Sequence, residues 1–474
     1  MTTIDYFKEI AKIPRESGKE EKIRNFLINW ASENKIKAVT DKIGNVVMYK
    51  DATKGFENVP PVALQGHLDM VCVKTPDSDH DFTKDPIKVY EDGDYLRAEK
   101  TSLGGDNGIA IAMIMDIFSD TKAKHGPLEA ICTVNEETGL TGAFNLDPSN
   151  IKARKLINLD SEEEGVIFIG CAGGLNVEGT LQAVPSPVPE HYKGISLKID
   201  GLKGGHSGGE IHRQRLNAIK AMARILSTPV EQESIMISQF VGGNRRNVIP
   251  SLCQAVILVP GINKDHILML IDNEYKQLKA EYSVEDPDFK LTLEEADRPE
   301  SAVSSSVSKK FINAMILVPH GVQSMSKAIP GIVETSTNLA IAELKNNCFT
   351  VITSQRSSVE SSKNYTAKRV ALALQEEAFE TKTGDGYPSW TPDPDSKLAA
   401  FCSKAWEDQV GKKPVITAIH AGLECGIINS KIDGMDSVSI GPNIWNCHSV
   451  NEHLSISSTK RMVIYVKHLL EIIR

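Results

Sequence analysis

Apolar positions near the start of the chain follow first a helical rhythm and then a strand-like one. Ile23, Phe26, Leu27 and Trp30 stand at i, i+3, i+4 and i+7, the spacing of a helix that buries one face. Ser17 with Glu20 has the form of a capping box at its start. Gly44-Asn45 then turns the chain into the run Val46-Val47-Met48-Tyr49, so this region reads as two helices and a strand. Farther on, continuous apolar runs at 62–65, 128–135 and 156–159 alternate with loops and with a helix over 107–118. Runs without polar alternation suit strands covered on both faces, and their interleaving with a helix is α/β patterning.

Two proline clusters interrupt this pattern, Pro185, Pro187 and Pro189, and later Pro388, Pro392 and Pro394. Such segments suit semi-rigid hinges. Between them the pattern predicts strands at 195–202 and 255–259 and helices at 212–226, 264–282, 303–317 and 361–380. Gly173-Gly174 and Gly242-Gly243 read as turns. Beyond Pro394 the pattern predicts a helix over 396–410, strands at 415–419 and 437–440, and a closing helix over 458–473. The expected organisation is a split domain, 1–185 plus 395–474, interrupted by an inserted domain, 186–394.

Composition narrows the class. The 474 residues suggest two or three domains, and 41% hydrophobic with 24% charged residues is ordinary for a globular protein. Lys+Arg 53 against Asp+Glu 62 leaves a net charge of −9, which argues against a nucleic-acid partner. The apolar run at 108–118 is short and contains Asp116, and the N-terminus lacks the pattern of a secretory leader, so no membrane association is expected. The 8 cysteines stand singly, with no CxxC pair, which reads as reduced thiols in a cytoplasmic protein.

Candidate chemistry lies at the ends of the expected strands and in Gly-rich loops. The segments are Gln65-Gly66-His67-Leu68-Asp69, Gly104-Gly105-Asp106-Asn107-Gly108, Asn135-Glu136-Glu137-Thr138-Gly139, Leu159-Asp160-Ser161 and Cys447-His448-Ser449. Open α/β sheets carry their sites at strand C-termini. Each segment alone is weak, since a lone histidine in a strand is more often structural. Together they supply the imidazole and carboxylate ligands of a zinc site, with enough groups for two ions. Two Zn²⁺ would be neutralised by Asp106, Glu137, Asp160 and a hydroxide, with His67 and His448 uncharged. One carboxylate of the Glu136-Glu137 pair is then free to act as a base. Neighbouring strand residues point opposite ways, and a turn at Thr138-Gly139 would let both reach one cleft.

In order and spacing these segments resemble the motifs of the co-catalytic zinc metallopeptidases, the family of carboxypeptidase G, the carnosinases and the bacterial dipeptidases. The resemblance spans essentially the whole chain. Gly204-Gly205-His206-Ser207-Gly208-Gly209, Ile329-Pro330-Gly331, Arg356-Ser357-Ser358 and His420-Ala421-Gly422-Leu423-Glu424 narrow it to the aminoacyl-histidine, or Xaa-His, dipeptidases. It implies an α/β fold, a mixed-sheet zinc-peptidase catalytic domain with an inserted α+β lid that also serves dimerisation. It implies two Zn²⁺ per chain, other divalent metals being alternatives, a dipeptide substrate, and a cytoplasmic homodimer. Asp106 is then the bridging ligand, with His67 and Asp160 completing one site and Glu137 and His448 the other. Asp69 orients His67, and Glu136 is the general base. His206 stabilises the oxyanion, while Asn247 and Arg356 hold the substrate. The resemblance also implies a cis peptide between Asp106 and Asn107.

His453 competes with His448 as ligand and is the less favoured. His420 and Glu424 line the cleft or pack within the core, both readings standing equal. His125 and the other remaining histidines read as surface or helix residues, and Glu162-Glu163-Glu164 as a solvated loop. Two other functions compete with the dipeptidase: a deacylase of N-acyl amino acids in the same family, and an inactive relative that only binds. The second is disfavoured because Glu136 and every ligand candidate are present.

Overall fold

The continuous apolar runs form the middle of an eight-stranded sheet in the computed structural model, which describes all 474 residues. Across the sheet the strands run Lys37–Thr40, Val46–Lys50, Leu128–Thr133, Val62–His67, Lys155–Asn158, Asp436–Ser439, Val166–Cys171 and Val415–Ile419. Val62–His67 is parallel to Leu128–Thr133 on one side and to Lys155–Asn158 on the other, and Asp436–Ser439 continues the parallel set. Val46–Lys50 is antiparallel to Leu128–Thr133. Val62–His67 and Leu128–Thr133 are buried along their whole length, as strands without polar alternation must be. The helix Gly105–Ser119, nearly all apolar, packs on this sheet.

The sheet belongs to the first of two units, Met1–Cys171, Pro392–Ala418 and Leu423–Arg474. The second unit comprises Ala172–Thr391 and Ile419–Gly422. Its main stretch therefore begins ahead of residue 186 and ends ahead of 394, and a short later segment joins it. The reason is the strand Gly173–Gln182, which pairs antiparallel with Cys348–Ser357 over its full length and so joins the second sheet. That sheet has eleven strands, with Lys290–Ala296 at one end and Glu380–Thr383 at the other. Ala218–Gln232, Ser305–Leu317 and Glu360–Glu376 are helices of this unit that contribute to its core.

Several expectations shift. Ser17 and Glu20 do not make a capping box: Glu20 has no side-chain cap bond, and its carboxylate accepts instead from the Gly18 and Asn135 amides at 2.8 and 2.9 Å. A capping box does occur at Thr2 and Asp5, ahead of Thr3–Ile10. Gly173, Gly174 and Gly242 lie within strands rather than turns. A Cβ at Gly174 would meet the Tyr387 ring within 2.6 Å of Cζ. The helix expected from 212 starts only at Ala218, capped by Asn217, whose side chain accepts from Ile219 and Lys220. His125 is fully buried, with Nδ1 2.7 Å from the Gly126 carbonyl.

The second unit's core centres on stacked aromatics. Phe311 lies parallel to Phe349 at 4.0 Å and meets Phe240 edge-on at 4.7 Å, all three with no exposed surface. Phe311→Ala should lower stability by about 3–5 kcal/mol through lost burial and the cavity left behind. Urea unfolding followed by fluorescence and circular dichroism measures this, and a loss below about 1 kcal/mol would show that the neighbours collapse into the space.

Candidate metal centre

The parallel strands deliver their C-terminal ends to one place. Val62–His67 ends on His67, Leu128–Thr133 leads to Glu136 and Glu137, and Lys155–Asn158 leads to Asp160. Asn135 has a left-handed φ of 52°, and the Gly139 and Leu140 amides both donate to the Glu136 carbonyl at 3.0 and 2.8 Å. The chain has thus left the strand before the two glutamates. Strand alternation no longer applies to them, and the change of direction begins at Asn135 as well as at the expected turn.

Asp106 stands between two sets of groups. His67 Nε2 is 3.1 Å from its Oδ1, and His448 Nε2 is 3.1 Å from its Oδ2. Asp160 Oδ1 lies 3.4 Å from His67 Nε2, while Glu137 Oε2 lies 3.0 Å from His448 Nε2. His67, Asp106 and Asp160 form one cluster able to hold a metal ion, and Asp106, Glu137 and His448 form another, each with donor atoms within 4.8 Å of one another. Glu136 lies in a further cluster with His67 and Glu137. Imidazole and carboxylate donors suit zinc and related divalent ions. The buried Asp160 Oδ1 lacks a hydrogen bond, as expected of an oxygen oriented for a cation.

Asp69 ties the first imidazole to the glutamate loop. Its Oδ1 is 3.3 Å from His67 Nδ1, and its two oxygens accept from the Glu136 and Glu137 amides at 3.0 and 3.2 Å. Burial raises this carboxyl, but the His67 hydrogen bond and charge and the Glu136 amide outweigh it and hold the group at about 2. The other acids behave differently. Burial pushes Asp160 up to about 7, with His67 opposing and Asp106 and Glu137 adding to the rise. Burial also holds Glu136 well above the ordinary range, against the pull of His67. Hydrogen bonds to Asp106 and Glu137 lift His448 to about 11. These shifts show a deficit of positive charge among crowded carboxylates, which divalent cations relieve.

The peptide between Asp106 and Asn107 is cis. The Asn107 side chain accepts from the His67 amide at 3.2 Å and donates to the Leu159 carbonyl at 3.1 Å, linking two strand ends. His453 stands apart from both clusters: its Nδ1 is 2.9 Å from the Asn451 carbonyl and its ring stacks on Trp445. Glu424 is fully buried and accepts from Gln65 Nε2 at 2.5 Å and Thr133 Oγ1 at 2.6 Å, so it packs beneath the strand ends. Asn158 continues this network, donating to Gln65 Oε1 and accepting from Ser439 Oγ, both at 2.5 Å. The detectable signal was the polar residues Gln65, Thr133 and Asn158 inside the apolar runs. Glu164 is not simply solvated, since it holds Arg461 through two bonds of 2.6 Å.

The second unit carries the remaining candidates. Gly205–His206 pairs with Val248–Ile249, and the Ser207 amide donates to the Asn247 carbonyl at 2.9 Å. His206 Nδ1 accepts from the Gly208 and Gly209 amides at 3.3 and 2.9 Å, so the neutral ring carries its proton on Nε2. Desolvation and the nearby Arg356 charge lower its pKa. Arg356 Nη1 donates to Tyr387 Oη at 2.9 Å, and its Nε has no hydrogen-bond partner. His420, 8% exposed, is bonded to Ser336 Oγ at 2.7 Å, on the residue paired in register with Arg356. Burial and the charge of Arg356 push it down to about 3.

Comparison with known proteins agrees with this geometry. The profile of peptidase family M20/M25/M40 matches residues 63–472. The cytosol non-specific dipeptidase of Escherichia coli (strain K12) is 37% identical over 454 residues, 96% of this chain and 94% of that one. The crystal structure of aminoacylhistidine dipeptidase from Vibrio alginolyticus is 36% identical with a TM-score of 0.94, covering 100% of this chain and 96% of that one. Aminopeptidase PepT from Bacillus cereus, at 16% identity and a TM-score of 0.57 over 99% of this chain and 97% of that one, shares the fold. With clustered imidazoles and carboxylates at the ends of the parallel strands of a mixed sheet, and with these likenesses along nearly its full length, the chain belongs to peptidase family M20/M25/M40.

Proposed function

We propose that this protein is a metal-dependent dipeptidase that cleaves short peptides with a free C-terminus, Xaa-His dipeptides among them. The observation that carries the reading is Asp106, with one oxygen facing His67 and the other facing His448. His67, Asp106 and Asp160 would hold one Zn²⁺, and Asp106, Glu137 and His448 a second. When bound, the ions supply Lewis-acid polarisation of the scissile carbonyl and lower the pKa of water.

The chain's own groups then divide the work. Glu136 takes a proton from the attacking water on its carboxylate and passes it to the leaving amine. Asp69 fixes the His67 ring and, through the Glu136 amide, the base loop. His206, with Nε2–H free to donate, stabilises the oxyanion. Arg356 anchors the substrate carboxylate, and Asn247 assists in holding the substrate. The segment Ala172–Thr391, which contains these three residues, acts as a lid and as the dimerisation element. Zinc as resident metal, a cytoplasmic location and a homodimer belong to the same reading. It is supported by the N/O ligand set, by 8 cysteines without a disulfide, by the cytosolic relative, and for the dimer by family likeness. No helix is long and apolar enough to cross a membrane.

A substrate panel tests the activity. The zinc-loaded protein should hydrolyse Xaa-His and other dipeptides in preference to N-acetyl amino acids, and the reverse preference would make it a deacylase. Glu136→Gln should retain zinc and lose about 10²–10⁴-fold in turnover, since an amide cannot accept the proton. Near-normal turnover with full zinc content would exclude Glu136 as the base. Arg356→Ala should keep its zinc and its fold, yet lose most of the preference for a free over an amidated C-terminus. A variant that discriminates as well as the natural protein would show that the anchor lies elsewhere.

A further inference from the structure

Three backbone segments present most of the ligand candidates: the end of Val62–His67 with Leu68 and Asp69, the stretch from Leu103 to Asp106, and the loop from His448 to Glu452. Two buried charged side chains outside the ligand set join them. Arg15, 2% exposed, donates through Nη1 to the carbonyls of Leu68 at 3.2 Å and Asp69 at 2.8 Å. Through Nη2 it donates to the Gly104 carbonyl. The chain leaves room for this guanidinium, since a Cβ on Gly104 would collide with Nη2 and one on Gly108 would come within 2.6 Å of it.

Glu452, 3% exposed, takes the same stretch from its amide side. Its Oε2 accepts from the Leu103 and Gly104 amides at 2.8 and 2.9 Å, and its Oε1 accepts from the Asp106 amide at 3.2 Å. The helix Gly105–Ser119 has no side-chain cap of its own, because its N-cap residue is Gly104 at a φ of 68°. The Glu452 carboxylate serves instead, satisfying orphan amides with a charge suited to a helix N-terminus. The Glu452 amide also bonds the Ser449 carbonyl at 3.2 Å, closing the loop that carries His448. Two buried charges are costly to desolvate, and a hydrophobic pair of similar volume would serve packing as well. Their hydrogen bonds go to the segments that carry His67, Asp106 and His448.

We propose that Arg15 and Glu452 are positioning residues that clamp these three segments in one geometry and so preset Asp106 between its two partner groups. The inference rests on the metallodipeptidase reading. Glu452→Gln keeps the shape but replaces one acceptor oxygen with an NH₂ group, which then faces an amide N–H in either flip. Arg15→Lys keeps the charge but lacks the fork that reaches two segments at once.

The test measures Zn²⁺ dissociation constants by chelator competition, kcat and KM on one dipeptide, and thermal melting of the zinc-free chain. Both variants should melt cooperatively, bind zinc about 10–100-fold more weakly, and lose turnover by a similar factor with KM little changed. Glu452→Asp, which retains both acceptor oxygens, should recover part of the zinc affinity. If Glu452→Gln fails to fold, Arg15→Lys carries the same test. Variants that fold with the natural zinc affinity and kcat, or that change only in melting temperature, overturn the clamp. If the natural protein neither binds Zn²⁺ nor cleaves dipeptides, it is the function reading that fails.

Discussion

Negative charge gathered at the C-terminal ends of buried parallel strands is the constraint on which the rest of the site depends. Asp106, Glu136, Glu137, Asp160 and Glu424 cannot all stay ionised so close together in a poorly solvated place without opposing charge. The protein answers in layers. His67 and His448 lie against the Asp106 oxygens, Asp69 is held ionised behind His67, and Glu424 is buried under the strand ends against Gln65 and Thr133. The negative charge left over falls within the two ligand groups, and each is a set of donors suited to a divalent cation.

The parallel half of the first sheet was legible because its strands are apolar on both faces. Such runs stand out in a sequence, and 62–65, 128–135 and 156–159 all became strands with ends displaced by at most two residues. The second unit was harder to read. Val333–Lys345 and Cys348–Ser357 form its longest hairpin, yet both mix threonine, serine and other polar residues with apolar ones. Their polar positions are buried by pairing within the sheet, as Thr337, Asn338 and Gln355 show. The Asn346-Asn347 turn, with both φ values positive, is the one local signal that marks it.

At the candidate site, the residues with ionisable or ligating chemistry could be singled out, because His67, Asp106, Glu137, Asp160 and His448 sit in short polar interruptions of apolar sequence. Of their supporting groups only Asp69, two residues after His67, could be. Arg15 lies in the stretch Ile13-Pro14-Arg15-Glu16, far from any histidine, and looks like any surface arginine. Asn107 follows Asp106 in the quoted motif, but the link of its side chain to Leu159 exists only once two strands lie side by side. Local pattern shows which residues can do chemistry, whereas the groups that orient them are defined by contacts between distant segments.

The first unit is discontinuous in the chain, and this orders its assembly during synthesis. Strand Asp436–Ser439 lies against Lys155–Asn158, and Ser439 reaches Asn158 across 281 residues. At ribosomal speeds of about 5–20 residues per second, the earlier strand waits roughly 15–60 seconds for its neighbour. Meanwhile nearly all of the second unit emerges as one uninterrupted stretch and can form its own sheet. His448 and Glu452 follow all of the second unit in the chain, so the nascent protein carries the acidic strand ends, until that unit has emerged, without the groups that complete them. A chain truncated between Ser439 and His448 would keep every strand of the eight- and eleven-stranded sheets, yet lack one side of the Asp106 cluster.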